Sequence, residues 1–152
     1  MSGSEANAKV EEDSEDSKSE WLCFKVANET YTHNVLSIDE VLRFSEPTPV
    51  PGSPSFISGI LNIRGSVVSV FSGRELLGLT EKTPDEDSRI IIFRINGENF
   101  GVTVDSVVEI AYFSKEQVED NVTHDESHSF MKGTVNHHNK LLIVVDFAAL
   151  QE

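Results

Sequence analysis

The chain has 152 residues, a net charge of −14 and a single cysteine, so it forms one domain or two very small ones, without an intrachain disulfide. That length suffices to bury about two-thirds of the unfolded surface without staples. The acidic balance leaves no basic stripe for nucleic acid and disfavours an anionic membrane surface, and no run approaches the roughly 20 apolar residues that cross a bilayer.

Residues 1–20 hold seven acids and two lysines, with no apolar periodicity and no signal-peptide run, and predict a disordered acidic tail. The lone thiol, Cys23, fits a reducing intracellular location, and its apolar setting suits filler better than a nucleophile. Beyond the tail, apolar runs rich in Val, Ile and Phe occupy 22–26, 35–41, 57–63, 67–71, 90–95, 101–110 and 141–145, mostly at strand length. Turn residues divide them: Asn28-Glu29, Arg64-Gly65, Asn96-Gly97 and His138-Asn139, with Asn96-Gly97 the strongest hairpin signal. Four prolines and Gly52 make 46–55 an extended connection. Brief helical turns are expected at 73–77 and 147–150, and a polar linker at 80–88.

The chain also repeats itself. Phe24-Lys-Val-Ala-Asn-Glu-Thr-Tyr31 recurs 69 residues later as Phe93-Arg-Ile-Asn-Gly-Glu-Asn-Phe100, and 37–41 falls on 106–110 at the same offset. Further on, Phe56-Ile-Ser-Gly59 matches Phe130-Met-Lys-Gly133 at an offset of 74, and 67–71 lies on 141–145. A fixed offset marks a repeated structural unit, and the change from 69 to 74 places five extra residues in a loop. Each copy is too small for a full core, so the two should bury apolar surface against each other. Gly59 and Gly133, equivalent in the two copies, suggest a backbone requirement, either positive φ or close strand approach.

Chemistry-bearing motifs are few. His124, His128, His137 and His138 cluster, but His124-Asp-Glu-Ser-His128 fails the zinc-hydrolase spacing and the segment reads as loop, so no metal is expected. No phosphate loop, nucleophile elbow or kinase signature is present, so neither an enzyme nor a cofactor is expected.

The segment 50–71 carries a Pro-x-Phe-x-x-Gly approach (Pro54, Phe56, Gly59), an Asn62-Ile-Arg64-Gly65 turn and a strand of valines. It closely resembles the signature of CheW-like chemotaxis coupling proteins. Ile38-Asp-Glu40-Val41 matches the family's element upstream, 101–109 its second-half element, and Leu142-Ile-Val-Val-Asp146-Phe its final strand. Two departures stand out: Ser72-Gly73-Arg74 replaces the family's Asp-Leu-Arg, and Thr32 replaces a glycine after Tyr31.

The resemblance implies a mainly β fold of two SH3-like five-stranded barrels on a shared hydrophobic interface. The CheW-like domain would span 21–152, with the first barrel mainly 30–80 and the second mainly 88–152, elements crossing over between them. It implies a non-catalytic scaffold, cytoplasmic and associated with receptor arrays, that couples chemoreceptor cytoplasmic tips to the regulatory domain of the histidine kinase CheA. By motif match, Ile38, Glu40, Gly59, Arg64 and Gly65 would face the receptor or support that face, with Glu40 and Arg64 forming an ion pair. The chain ends just past the last matched strand, which favours an adaptor over a fused module. A competing reading is a stand-alone barrel that binds proline-rich peptides, which would require clustered aromatics.

Overall fold

The computed structural model describes residues 18–120 and 129–150. Ten strands follow in order: β1 (Lys18–Val26), β2 (Glu29–Asn34), β3 (Ile38–Arg43), β4 (Ile57–Ile63), β5 (Ser66–Ser72), β6 (Arg89–Ile95), β7 (Glu98–Val104), β8 (Ser106–Ser114), β9 (Met131–His137) and β10 (Lys140–Val145). A one-turn helix, α1 (Gly73–Leu76), follows β5, and 3-10 turns occupy Val35–Ser37, Lys115–Gln117 and Phe147–Leu150. The acidic tail expected over 1–20 lies outside the described residues as far as 17. Its last three residues instead open β1, where Lys18, Ser19 and Glu20 pair with Ser114, Phe113 and Tyr112 of β8.

The strands form two five-stranded sheets, ordered β8-β1-β2-β10-β9 and β3-β6-β7-β5-β4. Under the 69- and 74-residue offsets these two orders are identical, strand for strand. The one parallel pairing in each, β2 with β10 and β7 with β5, is conserved between them as well. The sheets therefore do not follow the halves of the chain. The hairpin β1–β2 joins β8–β10, and the equivalent hairpin β6–β7 joins β3–β5.

The exchange has a local cause. Asp105 is the single residue between β7 and β8, and an antiparallel return needs at least about two loop residues. The chain must then run on into the other sheet. At the equivalent place, the expected run 35–41 is broken because the Asn34 side chain accepts the Leu36 N–H and starts a 3-10 turn before β3. The expected run 101–110 is broken the same way at Asp105.

Side-chain alternation across these sheets builds three apolar clusters. Leu22, Phe24 and Val26 of β1 and Ile91, Phe93 and Ile95 of β6 face one another's sheets in a shared seam with Tyr31, Phe100, Val102, Phe130 and Phe147. The opposite faces of the same strands fill separate pockets: Trp21 and Cys23 with Ala111, Phe113, Val135 and Leu142 in one sheet, Ile90 and Ile92 with Val68 and Val70 in the other. Strands buried on both faces read as continuous apolar runs, which is why 22–26 and 90–95 stood out.

The two departures from the family pattern are accommodated by neighbours. Thr32 lies opposite Cys23 in β1–β2, where the other copy sets Gly101 opposite Ile92. A Cβ at Gly101 would come within 2.9 Å of Ile90 Cγ2 and 3.2 Å of Ile92 Cδ1, and the position of Ile92 is held in the other copy by the smaller Cys23, which leaves more room beside Thr32. Thr32 then donates to the Leu22 carbonyl and contacts Cys23 Sγ at 3.5 Å. Ser72 replaces an acid without loss of capping: its Oγ accepts the Glu75 N–H at 3.1 Å, as Asp146 Oδ1 accepts that of Ala148 at 3.0 Å. Both residues also donate their backbone N–H to the matched Phe56 and Phe130 carbonyls.

Turn positions follow the sequence closely, with one correction. Arg64-Gly65, Asn96-Gly97 and His138-Asn139 all have positive φ at both positions. The turn expected at Asn28-Glu29 falls one residue earlier, at Ala27-Asn28 with Ala27 at φ 57, because the Asp105 carboxylate accepts the Ala27 N–H at 2.8 Å.

Candidate functional site

The β4–β5 turn presents Arg64 and Gly65 at φ 51 and 88, the geometry of a two-residue hairpin. Asn62 fastens it, its Oδ1 accepting the Gly65 N–H at 3.0 Å. Arg64 reaches across to β3 and grips Glu40 with both arms: Nη1 donates to Oε1 at 3.3 Å, and Nη2 donates to Oε2. The pair is solvent-facing, with the Arg64 side chain 68% exposed and that of Glu40 26%. Hydrogen bonding to Glu40, and then its charge, pushes the Arg64 guanidinium above its ordinary value. A cavity of about 130 Å³ adjoins the pair, lined by Asp39, Ile63, Ser66, Val68, Ile92 and Asn99 among others.

Of the five residues singled out by motif, Glu40, Arg64 and Gly65 meet here. Ile38 does not join them: it starts β3 opposite Phe93 and packs half-buried against the shared seam. Gly59 lies five residues back along β4, a distance of about 16 Å. It is buried at φ 150, where a Cβ would run into the Thr48 carbonyl oxygen. Gly133 repeats this at φ 153 against the Glu119 carbonyl. Both glycines sit where a crossing segment bridges the sheet, Thr48 to Ile60 and Glu119 to Thr134. Positive φ and close approach therefore act together at both positions.

Sequence reasoning passed over Asn62 as a contributor, although it stands in the quoted turn motif. It also gave no role to the Arg74–Asp105 pair, which joins α1 to the β7–β8 crossover at 2.6 Å.

His33 is a core histidine, 1% exposed. Its Nδ1 faces the Asn34 carbonyl at 3.1 Å and its Nε2 accepts the Phe147 N–H at 3.0 Å, which fixes a neutral ring protonated on Nδ1. Phe93 and Phe147 pack on it, with ring centroids at 4.6 and 5.4 Å. Burial pushes its pKa down, against smaller upward effects of the Asn34 carbonyl and Asp146. Below about pH 6.5 the unfolded chain then binds a proton that the folded protein refuses. His33 should therefore cost stability as pH falls from 7 to 5, at up to about 1.4 kcal/mol per pH unit. Urea titrations at both pH values, compared with His33→Gln, measure this, and equal pH slopes would show the ring charges freely in the fold.

The peptide-module reading lacks its aromatic groove among the described residues. Trp21 is buried, stacked on Phe113 at 4.6 Å, and donates Nε1–H to the Phe113 carbonyl. His124 and His128 lie outside the described residues. Among the described ones, no three His, Cys, Asp or Glu side chains gather as a metal site would require.

Comparison with known proteins places this architecture in a family. The model of the CheW-like domain matches residues 20–152, and the chain belongs to that family. Its relatives include the chemotaxis protein CheW of Thermotoga maritima, 28% identical over 88% of this chain and 87% of that one. CheW of Bacillus subtilis is 28% identical over 85% and 84%. Among solved structures, the scaffolding protein TtCheW from Thermoanaerobacter tengcongensis superimposes with a TM-score of 0.76, at 29% identity over 84% of each chain.

Proposed function

We propose that this chain is a non-catalytic scaffold of chemotaxis signalling that couples the cytoplasmic tips of chemoreceptors to the regulatory domain of the histidine kinase CheA. It would work in the cytoplasm at receptor arrays, and its two sheets would act as the paired SH3-like barrels of the family. The observation that carries the reading is the family match over 20–152, which takes in every described strand but the first two residues of β1. The Glu40–Arg64 pair adds a chemically defined contact point. A guanidinium held on a tight turn, planar and permanently charged, offers a partner a preoriented donor fork. Glu40, Arg64 and Gly65 form the receptor-facing contact, and Ile38 and Gly59 support it from the seam and from within β4. No helix among the described residues is long and apolar enough to cross a membrane, so attachment to the array would come through protein contacts. Several modest contacts combined in an array hold an assembly tightly.

Binding of a receptor-tip fragment and of the CheA regulatory domain, each measured by calorimetry, tests the reading. Arg64→Ala should weaken the receptor contact about tenfold, equivalent to losing one well-placed charged contact. The melting temperature should barely move, because an exposed pair stabilises the fold little. Unchanged receptor binding with a large loss of stability would refute the role of Arg64.

A further inference from the structure

Both sheets carry a groove at the same place in the repeat. In the sheet formed by β3–β7, a cavity of about 210 Å³ lies among Glu46, Ser58 and the β7–β8 crossover at 103–105. The chain's own linker walls it through residues 81–84, as does Arg74, which holds Asp105 at 2.6 Å and the Thr80 carbonyl at 3.1 Å. The other sheet has a cavity of about 570 Å³, lined in part by Asn34, Leu36, Lys115 and Lys132. Under the 69- and 74-residue offsets these four are the counterparts of Thr103, Asp105, Glu46 and Ser58. Leu36 and Ala148 stand where Asp105 and Arg74 stand, so the ion pair that clamps the first groove cannot form in the second.

The same offset indicates what matches the linker in the second groove. Linker residues 80–88 lead into β6, and 11–19 are their counterparts leading into β1, with Glu81, Asp85 and Ser88 falling on Glu12, Asp16 and Ser19. Both segments enter their sheets alike: the Ser88 carbonyl accepts the Phe44 N–H at 3.2 Å, and Ser19 pairs with Phe113, the counterpart of Phe44. Lys18 pairs with Ser114, the neighbour of Lys115, so the chain ahead of β1 begins at the edge of the groove. Seven extended residues reach up to about 23 Å, enough to cross it. Residues 11–17 hold five acids and no basic residue. Where the first groove has Glu46 and Ser58, the second has two lysines, both exposed and neither in an ion pair among the described residues. Asp120 and Asp146 line it too, but Asp146 is engaged by the Ala148 N–H at 3.0 Å.

We propose that the second groove is a docking site for the chain's own residues 11–17, which cross it as the linker crosses its twin, with their carboxylates on Lys115 and Lys132. Opposite charges at the matched positions attract this segment, whereas Glu46 in the first groove would repel it. Because segment and groove belong to one chain, modest contacts suffice.

Digestion of the full chain with a glutamate-specific protease tests this. The rate of cleavage after Glu12 is divided by that after Glu5, which lies outside the docked segment, and compared with the same ratio in a free peptide of residues 1–20. Docking should make the ratio about tenfold lower in the full chain, since cleavage follows the population of the open form. Lys115→Glu with Lys132→Glu should bring it to within about twofold of the peptide, as should Asp13→Lys with Asp16→Lys. Combining the two pairs should restore part of the protection. All four positions lie on exposed or terminal residues, so the melting temperature should hold. A ratio equal to the peptide's in the unaltered protein, or protection untouched by the lysine changes, overturns the proposal. Protection that grows with protein concentration overturns it too, because a second copy's tail would then be the occupant.

Discussion

Phe93→Ala should remove about 3–5 kcal/mol of folding stability. Phe93 is fully buried at the centre of the shared seam, and its ring meets His33, Phe100 and Phe147 at centroid distances of 4.6, 5.5 and 5.2 Å. Those partners come from β2, β7 and the last 3-10 turn, so truncation opens a cavity where both sheets meet and no single element can collapse into it. For a domain stable by about 5–15 kcal/mol the loss is a large fraction of the whole, and it should lower the melting temperature by roughly 10 °C. Urea unfolding of the variant measures it. Tyr112→Ala, at an exposed position on edge strand β8, serves as the control. A loss below about 1 kcal/mol would mean that the seam does not hold the halves together.

Gly59→Ala and Gly133→Ala should each cost about 3 kcal/mol or more, because two penalties add. Each residue has a φ that side-chain-bearing residues rarely adopt, and each lies under a carbonyl oxygen of the crossing strand that a methyl group would displace. Relief requires moving the Thr48 or Glu119 segment, which breaks the paired backbone hydrogen bonds to Ile60 or Thr134. The two variants should be alike in size, since the sites are copies. The comparison also bears on function. A Gly59→Ala protein that melts far lower yet binds receptor tip normally when folded would assign Gly59 to scaffolding alone. A variant that melts normally would contradict the geometry outright.

Much of this was legible in the sequence because the repeat is periodic in the right places. Residues 22–26 and 90–95 read as strands, and Arg64-Gly65 and Asn96-Gly97 as turns, since local chemistry leaves little choice there. The Glu40–Arg64 pair could be foreseen from the motif as well. Other features gave no local signal. β2 (Glu-Thr-Tyr-Thr-His-Asn) reads as polar, yet Thr32 and His33 are buried, because Thr32 Oγ1 donates to the Leu22 carbonyl across the β1–β2 turn and His33 Nε2 accepts the N–H of the distant Phe147. The Ala27 turn shifted by one residue for the same kind of reason: Asp105, 78 positions away, claims its N–H.

The amino-acid order alone determined that there are two copies of a small β unit and where most strands and tight turns fall, and it pointed to a backbone requirement at Gly59 and Gly133. It did so because periodicity, φ preference and charge act over a few neighbours. Only the tertiary structure decided that the copies exchange hairpins, that Ile38 and Gly59 stand away from the Glu40–Arg64 pair, and that one crossover is clamped while its twin is not. Those outcomes depend on which distant backbone groups and rings come within a few ångströms of each other, and on a one-residue link too short to turn back.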